Sequence, residues 1–109
     1  MRAQLTMTED DFQSRIIETA QLHGWRVAHF RAARTSRGWR TPVQGDAGFP
    51  DLVLARRGAL IVAELKSDTG RVAPDQRAWL DQLGGHGRLW WPRDWPAVLA
   101  EITTKEAAA

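Results

Sequence analysis

The chain has 109 residues, the length of one domain, and a formal net charge of +2. It contains no cysteine, so disulfide bonds, thiolate metal sites and a cysteine nucleophile are excluded. No apolar run is long enough to span a membrane and the N-terminus lacks the apolar stretch of a secretory signal. We therefore expect a cytoplasmic protein without membrane contacts.

The first half of the chain predicts one helix, one strand and a long loop. Thr8 is a candidate N-cap residue, and its helix should run to about His23, where Gly24 ends it. Residues 25–30 have the composition of a strand. Residues 31–48 contain Gly, Pro, Thr, Ser and Arg without periodicity, which predicts a long loop that is either functional or disordered.

The second half predicts three further strands and two helices. Short apolar runs at 52–55 and 60–65 should pair through a hairpin turn at 56–59. The remaining elements are a loop at 67–72, a helix from Pro74 to about Leu83, a strand at 88–91, a helix from Asp94 to about Ile102 and a flexible tail at 103–109. This order, αβββαβα, predicts a single α/β domain over residues 1–109 with a mixed central sheet flanked by helices and a core at about 8–102.

Basic residues are concentrated in one segment. Residues 26–40 contain five arginines and no acidic residue, whereas the acidic residues lie before and after this segment. A basic segment attracts a phosphate backbone, so the pattern favours a nucleic-acid enzyme, although a GC-rich genome also explains an excess of arginine. The candidate phosphate-binding residues are Arg31, Arg34, Arg37 and Arg40. Trp39 either stacks on an unpaired base or packs against the loop.

The carboxylates of Asp51 and Glu64 are predicted to meet at neighbouring strand ends. Glu64 and Lys66 share one face of their strand because side chains alternate, whereas Leu65 faces the other side. Two carboxylates in one small space repel each other unless a divalent cation lies between them, and a lysine beside such a cation can orient a water molecule. The alternatives are a turn-forming Pro50-Asp51 and an ordinary surface pair of Glu64 and Lys66.

Glu9 lies on the apolar face of the first helix. It shares the stripe of Phe12, Ile16 and Ala20, whereas Glu18 points to the opposite side. Glu9 is therefore the helix glutamate expected to point toward the core. The alternative is a first-turn glutamate that is favoured by the helix dipole.

Gln76 lies on the apolar face of the second predicted helix, with Trp79, Leu80 and Leu83. A buried glutamine needs hydrogen-bond partners, and a carboxylate, a metal-bound water or Lys66 would serve. The alternative is a hydrated glutamine at the helix end. Asp46 is a further acid near the predicted pocket, where it either joins the site or forms part of a loop turn.

These motifs resemble those of a known nuclease family. Residues 48–54 (GFPDLVL), Glu64-Leu65-Lys66 and Gln76 are similar in order and type to the motifs of the PD-(D/E)xK nuclease superfamily, and more narrowly to the stand-alone VRR-NUC domain. The resemblance covers roughly residues 8–102. It implies a restriction-endonuclease-like core and metal-dependent hydrolysis of DNA.

The resemblance also implies the roles of individual residues. Asp51, Glu64 and the backbone carbonyl of Leu65 would bind Mg²⁺ or Mn²⁺, with Glu9 as a further acid of the site. Lys66 would act on the attacking water and Gln76 would hold the hydrogen bonds of the site.

The substrate expected from the resemblance is branched DNA. Relatives of this type act as homodimers similar to Holliday junction resolvases, and a bacterial or phage origin is implied. The chain shows no added specificity domain, which favours recognition of DNA structure over base sequence. The alternatives are a flap nuclease, an exonuclease or a restriction-type nuclease on the same fold, and an inactive DNA-binding module.

Overall fold

The computed structural model describes residues 7–30, 33–35, 38–40 and 44–105, without the side chains of the two three-residue segments. The helices are α1 (Glu9–Leu22), α2 (Pro74–Leu83) and α3 (Trp95–Thr103), with short 3₁₀ turns at Gly84–His86 and Pro92–Asp94. The strands are β1 (Arg26–His29), β2 (Ala33–Thr35), β3 (Gly38–Arg40), β4 (Leu52–Arg56), β5 (Ala59–Leu65) and β6 (Gly87–Trp90). The predicted mixed α/β class is confirmed.

Four strands form the central sheet, in the order β1-β4-β5-β6. β4 pairs antiparallel with both β1 and β5, and β5 pairs parallel with β6 through the crossover helix α2. The start of β4 therefore lies beside the end of β5, with Leu52 opposite Ala63. This register brings Asp51, just before β4, next to the last residues of β5.

The predicted element order is incomplete, because the structure contains a second sheet of two strands. β2 and β3 pair antiparallel, with Ala33 opposite Arg40 and Thr35 opposite Gly38, inside the segment predicted as a long loop. The order αβββαβα omits this hairpin. Strands of three residues are too short to show an alternating pattern, so their backbone pairing leaves no periodic signal in the sequence.

Element boundaries otherwise differ from the predictions by one or two residues. The β4–β5 turn consists of Arg57 and Gly58, both with positive φ (50° and 86°), which suits the tight two-residue connection of a hairpin. Asp94 precedes α3, but its side chain accepts from the Trp91 N–H (3.0 Å) and does not cap the helix. The predicted tail begins inside α3, and residues 106–109 lie outside the described residues.

The main core lies between one face of the sheet and helices α1 and α3. Phe12, Ile16 and Ala20 form the fully buried face of α1, as their spacing predicts. On β5 the side chains of Ile61, Ala63 and Leu65 join this core, so Val62 and Glu64 point to the opposite face. The remaining core residues include Trp25, Leu52, Leu54, Trp90, Val98 and Ile102.

α2 contacts β6 and reaches the Glu64 face of β5 through the side chain of Gln76. No helix among the described residues is long and apolar enough to cross a membrane.

Candidate active site

Asp51 is held by hydrogen bonds at the junction of three strands. Its backbone carbonyl accepts from the Phe30 N–H (3.0 Å), which extends the pairing of β1 with β4. Its side-chain Oδ2 accepts from the Leu65 N–H (2.8 Å) at the end of β5. Pro50, the preceding residue, is fully buried. Asp51 is therefore fixed by both its main chain and its carboxylate.

Glu64 is a buried carboxylate near the end of the inner strand β5, with only 3% of its surface exposed. Its Oε2 accepts from Gln76 Nε2 (3.1 Å) and lies 3.6 Å from Lys66 Nζ. The Lys66 N–H donates to the Trp90 carbonyl (3.0 Å), which continues the strand past Leu65. The predicted common face of Glu64 and Lys66 is thus present, and the fully buried Leu65 lies on the other face.

Gln76 joins the acidic and basic groups of the site. Its Oε1 accepts from Lys66 Nζ (2.7 Å) and from the Ala73 N–H (2.8 Å), and its Nε2 donates to Glu64. Ala73 is the N-cap residue of α2 and has no side chain that can cap the helix. Because the Ala73 N–H must face an acceptor, it sets the orientation of the amide, so that Nε2 faces the carboxylate.

Burial raises the pKa of both carboxyl groups. Burial and, after it, the charge of Asp51 raise the pKa of Glu64 to about 8, against a smaller lowering by Lys66. Burial also raises the pKa of Asp51, opposed by the hydrogen bond from the Leu65 N–H. The pair therefore retains a proton near neutral pH when no cation is bound.

Glu9, the first residue of α1, lies near the carboxylate pair. The residue is exposed, yet partial burial of its carboxyl and the charge of Asp51 raise its pKa, while Lys66 lowers it. Thr8 caps α1 by accepting from the Asp11 N–H (3.0 Å), which fixes the first turn that carries Glu9. Glu18 is exposed, on the side of α1 predicted to face solvent. Glu9 is thus near the carboxylate pair without being enclosed with it.

His29 is a neighbour of the site that the sequence interpretation did not assign to it. It ends β1 opposite Leu52, and its charged form lowers the pKa of Asp51. Its Nε2 is hydrogen-bonded to Gln13 Nε2 of α1. No local pattern in the sequence marks this position, because only the antiparallel pairing of β1 with β4 brings His29 beside the first residue of β4.

Residues 46–49, just before Pro50 and Asp51, pack against α2. Trp79 Nε1 donates to the carbonyls of Asp46 (3.3 Å) and Ala47 (3.1 Å), and its ring meets Phe49 edge to face at 4.9 Å. Gly48 has φ +92°, and a Cβ there would lie 2.7 Å from the Asp75 carbonyl carbon, so only glycine fits. These contacts fix Asp51 relative to Gln76. Asp46 lines an adjacent cavity of about 400 Å³.

The oxygen groups of the pocket fit a hard divalent cation. Asp51 and Glu64 offer carboxylate oxygens, and Mg²⁺ is bound in many enzymes through one or two carboxylates while it keeps several water molecules. The raised pKa values show that the charged forms of this pair are disfavoured without a cation, and a bound dication would stabilise them. Among the described residues, no group of three or more His, Cys, Asp or Glu side chains could hold a metal ion.

Three of the five predicted DNA-binding residues lie in the strands of the β2–β3 hairpin. Arg34 in β2 pairs with Trp39 in β3, and Arg40 ends β3. The orientation of these three side chains is not described. Arg31 and Arg37 lie outside the described residues. Their predicted contacts with phosphates stay predictions.

Comparison with known proteins agrees with the motifs of the site. The family model of the VRR-NUC domain matches residues 7–90, a range that contains α1, all of β1 to β6 and α2. No curated protein sequence matches the chain. The family match covers most of the chain, so this protein belongs to the VRR-NUC family, and its domain is a PD-(D/E)xK-like nuclease domain.

Proposed function

We propose that this nuclease is a Mg²⁺- or Mn²⁺-dependent DNA endonuclease that prefers branched DNA and uses Asp51, Glu64, Lys66 and Gln76 as its catalytic group. The observation that supports this proposal most strongly is the hydrogen-bonded chain from Glu64 through Gln76 to Lys66, beside Asp51. It holds two carboxylates and one ammonium group at neighbouring strand ends. A structural ion pair would need neither the second carboxylate nor the amide link.

Asp51, Glu64 and the carbonyl of Leu65 would hold the cation, and Glu9 would add negative charge at its edge. When bound, the ion supplies positive charge that polarises the scissile phosphate and lowers the pKa of a bound water. The Leu65 N–H donates to Asp51 Oδ2 and would hold this carboxylate in position for a cation. The residues would therefore keep the ligand oxygens in place before substrate arrives.

Lys66 would orient the attacking water and stabilise the negative charge that develops on the phosphate. Its Nζ has three protons, of which one is used by Gln76 Oε1 and one faces Glu64 Oε2. The third remains to donate to water or to a phosphate oxygen. Gln76 would fix the position of the ammonium group, because its own amide is anchored by the Ala73 N–H. Such prior orientation lowers the reorganisation that the reaction requires.

The preference for branched DNA would come from the β2–β3 hairpin and from a second copy of the chain. Arg34, Trp39 and Arg40 lie together on the two paired strands, so basic residues and one indole are carried by a single hairpin. Arg31 and Arg37, which lie close to these residues in the sequence, would add phosphate contacts. A homodimer would place two sites on opposite strands of a junction, in the cytoplasm of a bacterial or phage-infected cell.

A cleavage panel tests this proposal. Purified protein is incubated with Mg²⁺, Mn²⁺, Ca²⁺ or EDTA and with end-labelled linear, flap, splayed and four-way DNA, with Asp51→Asn as the control. We expect cleavage with Mg²⁺ or Mn²⁺ alone, fastest on the four-way junction, and none by Asp51→Asn. Full cleavage in EDTA would refute metal dependence, and a preference for linear ends would indicate an exonuclease.

A further inference from the structure

A second cavity lies at the opposite end of the sheet from the carboxylate pair. Its volume is about 790 Å³, and it is bounded by the β4–β5 turn, the end of α1 and the residues after α3. Asp51 precedes β4 and Arg56 ends it, so five residue steps of about 3.3 Å separate the two sites by roughly 16 Å. The cavity is therefore distinct from the candidate active site.

The lining of this cavity is strongly basic. Arg26, Arg56, Arg57 and Lys105 line it together with His23, and no Asp or Glu is among its described lining residues. Arg26, Arg57 and Lys105 are exposed. A cation at the C-terminal end of a helix can stabilise the carbonyl groups there. Each basic residue of the cavity therefore either stabilises a helix end or is available to bind an anion.

Arg56 has the structural role. Its guanidinium group donates to the carbonyls of His23 (2.9 Å), Ile102 (3.4 Å) and Thr104, which are the terminal carbonyls of α1 and α3. It also stacks on Trp25, with 4.4 Å between the guanidinium carbon and the ring centre. Arg56 thus donates to the carbonyl groups at the ends of α1 and α3. We assign this structural role to Arg56 and not to Arg26 or Arg57.

Arg56 also places an uncompensated charge beneath the cavity. Only 9% of its surface is exposed, and within the described part of the chain its Nε has no hydrogen-bond partner. The three oxygens that accept from its guanidinium group are neutral carbonyls, so within that part of the chain dipoles solvate the positive charge without neutralising it. An anion in the cavity would interact favourably with this charge and with the exposed cations at the rim.

We propose that this cavity binds the phosphate group of a nucleotide unit. The two exposed arginines offer the planar donor groups that match phosphate oxygens. Apolar surface from Ala55, Ala59 and Leu60 lines the same cavity and suits a sugar or base attached to the phosphate. The nucleotide unit belongs either to a DNA strand or to a free nucleotide. Binding here does not depend on the proposed cleavage reaction.

The distance between the two sites is compatible with one DNA molecule contacting both. Roughly 16 Å corresponds to about half a turn of B-DNA, whose turn measures ~34–36 Å. A duplex of one turn or more is therefore long enough to reach from the carboxylate pair to the far cavity. Such a contact would hold DNA without carrying sequence information.

The test is a binding experiment with matched double variants. The double variant Arg26→Gln/Arg57→Asn removes two exposed cations of the cavity, and asparagine tolerates the positive φ of position 57. The control Arg15→Gln/Arg93→Gln removes two exposed arginines elsewhere. All proteins carry Asp51→Asn and are measured without metal. Fluorescence anisotropy follows a labelled 20-bp duplex and labelled ATP over a range of salt concentrations.

We expect the cavity variant to lower the slope of log affinity against log salt for the duplex by about two, because each replaced arginine removes one phosphate neutralisation, while the control leaves the slope unchanged. Loss of ATP binding in the cavity variant alone, with an unchanged duplex slope, identifies a free nucleotide as the ligand. Equal behaviour of the two double variants toward both probes overturns the proposal. Lys105→Gln, which alters neither strand nor turn, repeats the test if the double variant does not fold.

Discussion

The two ends of the central sheet both bury charged side chains, but they stabilise them in different ways. At the β4–β5 turn, Arg56 is surrounded by carbonyl acceptors and an indole ring. At the other end, Asp51 and Glu64 lie together beside Lys66, and both have raised pKa values. A charge whose partners are all backbone carbonyls holds elements of the fold together. Two buried carboxylates beside one lysine are unfavourable in their charged form until a cation binds to them.

The largest expected effect is the loss of cleavage in variants of the carboxylate pair. Asp51→Asn and Glu64→Gln should each reduce the cleavage rate by at least about 10³-fold, because both ligand charges are needed to hold the cation. DNA binding should be kept or tightened, since negative charge is removed from the pocket. Rates are measured on labelled junction DNA with Mg²⁺. Near-native turnover by either variant would remove that residue from the ligand set.

At the opposite end of the sheet, substitution of the buried charge is expected to reduce the stability of the fold. Arg56→Leu leaves the carbonyls of His23 and Thr104 without this donor, whereas the Ile102 carbonyl still accepts from Trp25 Nε1. The variant should lower the free energy of unfolding by about 2–4 kcal/mol. Glu64→Gln should cost little or increase stability, since its amide can still accept from Gln76 without a buried charge. Urea unfolding of the two variants measures the difference. Equal decreases would contradict the contrast between the two ends.

Stability of the metal-free protein should fall as the pH rises. Folding raises the pKa of Glu64 from 4.5 to about 8, so the folded state holds a proton that the unfolded chain releases. This stabilisation is complete below about pH 4.5 and is lost as the pH rises through about 8. The raised pKa of Asp51 acts in the same direction. Melting temperatures of wild type and Glu64→Gln from pH 4.5 to 8.5 measure the contribution of Glu64. If the melting temperature depends on pH identically in both proteins, Glu64 makes no such contribution.

The smallest effect is expected at the edge of the pocket. Glu9→Gln should reduce cleavage several-fold, because its carboxyl interacts electrostatically with Asp51 and Lys66. Glu18→Gln is the matched control on the same helix, with an exposed side chain on the other side. Cleavage rates at equal Mg²⁺ concentration compare the two. If both variants match the wild type, α1 only supports the fold and does not take part in the site.

The sequence predicted the central group of the site because its residues follow simple periods. Glu64 and Lys66 share a strand face at a spacing of two, and Gln76 lies on the inner face of α2 at a spacing of three and four from Trp79 and Leu80. Both periods follow from regular backbone geometry. The helix boundaries at Thr8 and Pro74 were also predictable from capping chemistry.

Other features depend on tertiary contacts that no local pattern records. The β2–β3 hairpin has three residues in each strand, too few for a periodic signal. The burial of Arg56 depends on carbonyl groups from two helix ends that are distant in the sequence. The orientation of the Gln76 amide depends on the Ala73 N–H, which only the folded loop presents. His29 approaches Asp51 because β1 and β4 are antiparallel, a pairing that the sequence left open.

The central claim is that Asp51 and Glu64 form one cation site, and calorimetric titration with Mn²⁺ tests it most directly. Because Glu64 has a pKa of about 8, binding at pH 7 should displace a proton, so the measured heat should depend on the ionisation enthalpy of the buffer. We expect wild type to bind Mn²⁺ with this buffer dependence and the double variant Asp51→Asn/Glu64→Gln to show no binding. Equal Mn²⁺ binding by both proteins, without proton release, would contradict the account.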